Sequence, residues 1–265
     1  MGLFDSHAHY DDERFDEVRE EIIKGLRHKN DVNPLGVSFV VNSASGIESS
    51  KKAIALAEKY DFFFATAGIH PAEADTYNDK TREELISLLS HKKVVALGET
   101  GLDYHYDEPS REVQMEAFLG QMALAESLSM KVIIHERDAH QDAMSVVNKF
   151  KGRVTGVFHS FSGSFEMACE LVKLGWYISY SGTVTFKNAP NVQRSVLAVP
   201  DDRLLIETDA PYLAPVPYRG QLCDSSKMYE TAKKIAEIRN TTVEYIEKIT
   251  SDNARRFFSL EENCL

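Results

Sequence analysis

At 265 residues, with 43% hydrophobic and 27% charged residues, the chain has the size and composition of a globular enzyme with a sizeable core. Its formal net charge of −11 excludes a protein that coats nucleic acid through a broad basic surface, but not a nuclease, because bound divalent cations supply positive charge locally. No apolar run reaches the about 18 residues that cross a bilayer, no basic segment leads an apolar one at the start, and three scattered cysteines (Cys169, Cys223, Cys264) suit a reducing cytoplasm better than a disulfide framework, so a cytoplasmic location is expected.

The chain opens on an apolar run at 3–4, followed by His7 and His9. Residues i and i+2 of a strand point to the same side, so the pair makes half of a metal site or, taken alone, two solvated histidines near a terminus. Met1-Gly2 with Ser6 loosely matches a myristoylation pattern, but residues 2–5 read as a buried strand that cannot also present a lipid. Further apolar runs follow at 37–41, 62–65, 94–97, 132–134, 154–158, 176–178 and 204–206, making eight. Most are continuous rather than alternating, as parallel strands covered on both faces require. Helical segments lie between them. Thr81-Arg82-Glu83-Glu84 reads as a capping box, as does Thr241-Thr242-Val243-Glu244. The spacing predicts a helix over 110–129 with Met115, Phe118, Leu119 and Met122 on its buried face. Eight strands alternating with helices predict one (β/α)8 TIM barrel domain over residues 1–265. An open doubly wound sheet is the alternative; the first strand lacks the Gly-x-Gly-x-x-Gly of its dinucleotide-binding version.

Ligand-type side chains recur at the ends of these runs: His7 and His9 after the first, Glu99 after 94–98, His135 after 132–134, His159 after 154–158 and Asp209 just past 204–206. Singly, Glu99 and Asp209 read equally as helix caps, and His135 and His159 as core histidines. Together they fall where barrels of this kind build active sites. Four imidazoles and two carboxylates can hold two divalent cations about 3.5–4 Å apart, with one carboxylate bridging. The mixed N/O set suits Zn, Mn, Co, Ni or Fe better than a site for Mg alone. No cysteine stands at these strand ends, which argues against a structural thiolate site.

At these residues the chain resembles the TatD family of metal-dependent deoxyribonucleases, within the amidohydrolase-like barrels. The segments that carry the resemblance are Asp5-Ser6-His7-Ala8-His9, Gly68-Ile69-His70-Pro71, Gly98-Glu99-Thr100-Gly101-Leu102-Asp103-Tyr104, His135-Glu136-Arg137, His159-Ser160-Phe161-Ser162-Gly163, Glu207-Thr208-Asp209-Ala210-Pro211-Tyr212-Leu213-Ala214-Pro215 and Asn253-Ala254-Arg255-Arg256. The resemblance implies two divalent cations (Zn, Mn, Mg, Co or Ni). His7, His9 and Asp209 would hold one, His135 and His159 the other, and Glu99 would bridge them where many relatives in the wider superfamily use a carbamylated lysine. It implies cleavage of DNA phosphodiester bonds by a hydroxide held on the cations, with Asp209 as proton acceptor. A narrow barrel mouth would favour a 3′–5′ exonuclease acting on single strands or strand ends, in DNA repair or degradation. His70 is a candidate for contacting the phosphate or protonating the leaving oxygen, or else a turn histidine before Pro71. Arg137 and Arg219 are candidates for the substrate's phosphates, though Arg137 reads as readily as a salt-bridge partner. Glu207 lies on the same side of its strand as Asp209 and can orient a ligand histidine. His28, His91, His105 and His140 receive no role. Expected partners are DNA as substrate, no membrane and no obligate protein. Two departures from the family pattern, Ser160 and the Gln221-Leu222-Cys223-Asp224 stretch after Arg219-Gly220, leave the ligands untouched and fall on loops that shape the substrate mouth. They keep open a hydrolase of another ester or amide (a small phosphodiester, a lactone or a mischarged aminoacyl-tRNA). A barrel retained only as a binding scaffold is the remaining reading.

Overall fold

A computed structural model describes residues 2–106 and 108–260. The eight apolar runs become strands β1 (Leu3–Ala8), β2 (Val37–Asn42), β3 (Phe63–Ala67), β4 (Val94–Asp103), β5 (Val132–Arg137), β6 (Gly156–Phe158), β7 (Tyr177–Tyr180) and β8 (Leu204–Ile206). They form one sheet in chain order, β1 to β8. The pairings of β3 with β4, β4 with β5, β5 with β6 and β7 with β8 are parallel. Beyond β8 a parallel bridge joins Ala210 to Ala8, flanked by Asp209 N donating to His7 O at 2.9 Å and His9 N donating to Ala210 O at 2.6 Å. Sequential strand order with a return to the first strand is the connectivity of the expected (β/α)8 barrel.

The chain divides into two compact units, Met1–Val41 with His159–Leu265, and Asn42–Phe158. The first carries α1 (Arg19–Gly25), α6 (Phe165–Lys173), α7 (Pro190–Ser195), α8 (Met228–Arg239) and α9 (Val243–Phe257). Its aromatic core centres on Phe4, 5.8 Å from Phe258 and 5.5 Å from Phe39 between ring centroids. Asn253 pins α9 to the base of β8, its amide donating to Asp201 O at 2.6 Å and Leu204 O at 2.9 Å. The second unit carries α2 (Ile47–Lys59), α3 (Asp79–Leu89), α4 (Arg111–Leu128) and α5 (His140–Lys149).

Three local expectations are corrected. Helix α3 is capped by Asn78, whose side chain accepts from Lys80 N and Thr81 N, while Thr81 Oγ1 closes the box by accepting from Asn78 N. Helix α9 is capped by Thr242, because Thr241 N already donates to Ala236 O at the end of α8. Helix α4 spans nearly the expected residues but is turned: Phe118 and Met122 are buried with Gln114, Ala117 and Gln121, while Met115 and Leu119 are only half-buried. The two glutamines win core positions because their amides satisfy backbone groups that would otherwise be unpaired there.

Strand β4 also continues past Glu99, and its pairing with β5 shifts register between Leu97 and Thr100. Gly101, at φ +141°, makes that path possible: a Cβ there would lie 1.9 Å from His135 O.

Candidate functional site

In the first unit, β1 and the turn after β8 bring three ligand atoms together. His7 Nε2 and His9 Nε2 are 3.1 Å apart, and Asp209 Oδ1 lies 3.7 Å and 3.4 Å from them. Asp209 is held in the left-handed region at φ 60°, which Asp tolerates better than most residues and which a free loop would not favour. Burial raises its carboxyl, but the hydrogen bond from His9 and the charges of His159, His9 and His7 outweigh this and leave it below the usual carboxylate range.

His159 lies flat against His7, with ring centroids 3.9 Å apart and planes 7° from parallel. Its Nδ1 faces Glu207 Oε1 at 3.2 Å, and the same oxygen accepts from Ser160 N at 2.7 Å. A carboxylate on Nδ1 keeps the proton there and leaves the Nε2 lone pair for a cation. Glu207 Oε2 is buried with no hydrogen-bond partner among the described residues, an orphaned polar oxygen that fits a neighbouring site for a cation.

Beneath this cluster, Asp5 ties β1 to the turn after β8. Its buried carboxylate accepts from Thr208 N at 3.0 Å, Thr208 Oγ1 at 2.5 Å, Ser225 Oγ at 2.6 Å and His7 N at 3.3 Å. Burial pushes the group up to about 7, against the lowering effect of those hydrogen bonds from Ser225, Thr208 and His7.

The second unit has its own cluster, made by His70 just after β3, Glu99 within β4 and His135 within β5. His135 Nδ1 is 2.8 Å from Glu99 Oε1, and His135 Nε2 is 3.1 Å from Asp103 Oδ2. A cation taken by the nitrogen beside Glu99 leaves the other nitrogen held by Asp103. Asp103 was quoted within a motif but given no role from sequence. It stands on β4 at even spacing from Glu99 and Gly101, and that alternation was the available signal. Burial raises its carboxyl, but the hydrogen bond and charge of His135 lead the influences that bring it below the usual value.

His70 Nε2 is 3.8 Å from Glu99 Oε1. Its Nδ1 accepts a hydrogen bond from Ala72 N at 3.0 Å. A neutral imidazole that accepts at Nδ1 carries its proton at Nε2. His70 therefore faces the cluster as a donor, whereas a metal ligand must present a lone pair. Gln121 of α4 fixes this segment: Oε1 accepts from Ile69 N and Nε2 donates to Ile69 O, both at 2.8 Å. Gln114 does the same for Asp103, at 2.8 Å to its N and 2.9 Å to its O. Neither glutamine was singled out from sequence, because a polar residue within an amphipathic helix reads as surface.

Arg137 and Arg219 belong to neither cluster. Arg137 is exposed at the end of β5, 5.6 Å from the centroid of the exposed Tyr106 ring. Arg219 is exposed and packs 4.1 Å from the Phe186 ring centroid. The divergent stretch after it is anchored, with Cys223 buried and its N donating to Pro211 O at 3.1 Å. Burial pushes the Cys223 thiol well up, which makes it a poor nucleophile.

Both clusters offer imidazole nitrogen and carboxylate oxygen, a donor set that fits zinc, manganese or a similar divalent ion. No helix is long and apolar enough to cross a membrane among the described residues.

Comparisons with known proteins agree with this donor set. The uncharacterized metal-dependent hydrolase YabD of Bacillus subtilis is 39% identical, covering 97% of this chain and 99% of its own length. The 3′-5′ ssDNA/RNA exonuclease TatD of Cronobacter sakazakii is 34% identical over 97% of each chain. The crystal structure of YjjV, a TatD homologue of Escherichia coli K12, superposes with a TM-score of 0.88 at 28% identity and 98% coverage of each chain. The model of the family described as TatD related DNase matches residues 4–259. The chain belongs to that family and is a metal-dependent hydrolase with a (β/α)8 barrel fold.

Proposed function

We propose that this chain is a divalent-metal-dependent deoxyribonuclease that removes nucleotides from the 3′ end of single-stranded DNA. In this reading His7, His9 and Asp209 would hold one cation and His135 and His159 a second, with Glu99 shared between them. The observation that carries it is the convergence of imidazole nitrogens and carboxylate oxygens to within 4.8 Å in the groups His7/His9/Asp209 and His70/Glu99/His135, the second with His70 as the donor beside Glu99 and His135, within a family of metal-dependent hydrolases. A relative that acts, by its name, on single-stranded DNA and RNA supports the substrate class. The cations, when bound, supply positive charge to the phosphoryl oxygens and lower the pKa of a water between them.

The chain's own residues do the rest. Asp209, kept ionised by His9 and its histidine neighbours, accepts the proton of the attacking water. His70 donates a hydrogen bond from Nε2–H to the leaving oxygen and stabilises its developing charge, a role that the hydrogen bond from Ala72 N to Nδ1 supports. Glu207 and Asp103 set the tautomers of His159 and His135. Arg137 and Arg219 offer exposed guanidinium groups to the phosphates that follow. A cytoplasmic setting completes the reading, and the free thiols of Cys169 and Cys223 support it.

A second reading keeps the ligands and changes the bond, to a small phosphodiester or another ester or amide. The acidic chain and the divergent loop at Gln221-Leu222-Cys223-Asp224 favour it. Protein loaded with Mn or Mg is offered end-labelled single-stranded DNA, RNA, duplex DNA and bis(p-nitrophenyl) phosphate, with Glu99→Ala as the blank. Stepwise shortening of single-stranded DNA from its 3′ end, absent from the blank, is the expected result. Hydrolysis of the small ester alone would replace the first reading by the second.

A further inference from the structure

Two turns leave the His7/His9/Asp209 cluster and meet again at the surface. One starts at His9, where Asp12 N donates to His9 O at 3.1 Å. The other starts at Asp209, where Tyr212 N donates to Asp209 O at 2.9 Å. Where they meet, the Arg14 guanidinium carbon sits 3.9 Å from the centroid of the Tyr212 ring. The same ring stands edge-on to His9 at 6.2 Å between centroids. Asp12 locks the assembly: Oδ1 and Oδ2 accept from Arg14 Nε and Nη2 at 2.9 Å and 2.8 Å, and Oδ2 accepts from Tyr212 Oη at 3.3 Å. Yet Tyr212 remains 45% exposed. A large aromatic left open to water one turn from a candidate ligand, and held by one hydrogen bond to Asp12 and by an Arg14 that Asp12 itself fixes, is not explained by packing.

We propose that the Arg14–Tyr212 stack is a nucleobase platform that seats the terminal base of a single strand beside the His9–Asp209 cluster. This deepens the nuclease reading above and rests on it. The occupant is a base rather than a phosphate because Asp12 already takes both inner N–H groups of Arg14 and balances its charge. What remains is a flat, near-neutral surface, which suits the π-face of any base and carries no sequence preference. Stacking there orders the last nucleotide beside the cluster. Asp12 is the positioning residue of the pair, since it touches Arg14 and Tyr212 and not the base.

The test compares two oligonucleotides that differ only in whether the terminal nucleotide carries a base or an abasic analogue. For the wild type, kcat/KM for release of that nucleotide should be about tenfold lower without the base, and the difference should lie in KM. In Tyr212→Leu the two substrates should converge to within about twofold, and Tyr212→Trp should restore the discrimination. The same tenfold preference in Tyr212→Leu as in the wild type would overturn the platform while leaving the nuclease reading intact. If wild type releases no nucleotide from either substrate, the nuclease reading falls and the platform with it.

Discussion

One hydrogen bond separates the role of His70 from that of its neighbours. Ala72 N donates to His70 Nδ1, so the ring presents Nε2–H to the cluster, whereas His159 meets Glu207 at Nδ1, and His135 meets Glu99 at Nδ1 and Asp103 at Nε2. His70→Gln should therefore retain the cation content of the wild type while kcat falls by about 10²–10³, the usual worth of a hydrogen-bond donor to a developing oxyanion. Metal analysis of the purified variant checks this, and loss of a cation would make His70 a ligand instead. His140 supplies a second prediction, away from the clusters. Its Nδ1 meets Glu136 Oε2 at 2.5 Å, and that hydrogen bond raises its pKa, opposed by burial and aided by the charges of Glu136 and Asp138. A raised folded-state value means the contribution is fully present below about 6.5, the ordinary histidine value, and is lost as pH rises through the folded value. The Tm gap between wild type and His140→Gln should thus be wider at pH 6 than at pH 9. A gap that does not change with pH would contradict the assignment.

At the scale of elements, α4 shows what hydrophobic patterning can and cannot reveal. Apolar spacing located the helix, since Phe118 and Met122 lie a turn apart on its buried face. It could not show that Gln114 and Gln121, seven residues apart on the same face, hold the backbone at Asp103 and Ile69. Their partners lie at the end of β4 and in the loop after β3, and only the fold brings them there. Gln121→Leu should leave the N–H and C=O of Ile69 unpaired in the interior, at about 1–3 kcal/mol each. Urea unfolding should show a loss of roughly 2–6 kcal/mol, and kcat should fall because His70 follows Ile69 directly. An unchanged midpoint would mean that water or another group takes over the pairing. The helix caps were misread for a related reason. Asn78 and Thr242 cap their helices because neighbouring backbone is already committed, as Thr241 N is to the end of α8.

Over the whole molecule, the strands were legible because most of the eight runs are continuous apolar stretches, which parallel strands covered on both faces demand. The ligand-type residues were legible because strand ends carry the chemistry of such a barrel, so His7, His9, Glu99, His135, His159 and Asp209 could be found without coordinates. Asp5 was not given a role, although it stands two residues before His7 on β1. Its hydroxyl partners, Thr208 and Ser225, are more than two hundred residues away in sequence, and a buried acid cannot be interpreted without its partners. The central claim is that these ligands form one dinuclear centre bridged by Glu99. Its most direct test is to strip the protein with chelator, titrate Mn back, and follow bound metal and release of nucleotides from single-stranded DNA together. Activity should be absent in the stripped protein and rise until two equivalents are bound, and Glu99→Ala should bind at most one with activity lost by about three orders of magnitude or more. Full activity at one equivalent, or two equivalents bound by an active Glu99→Ala, would contradict it.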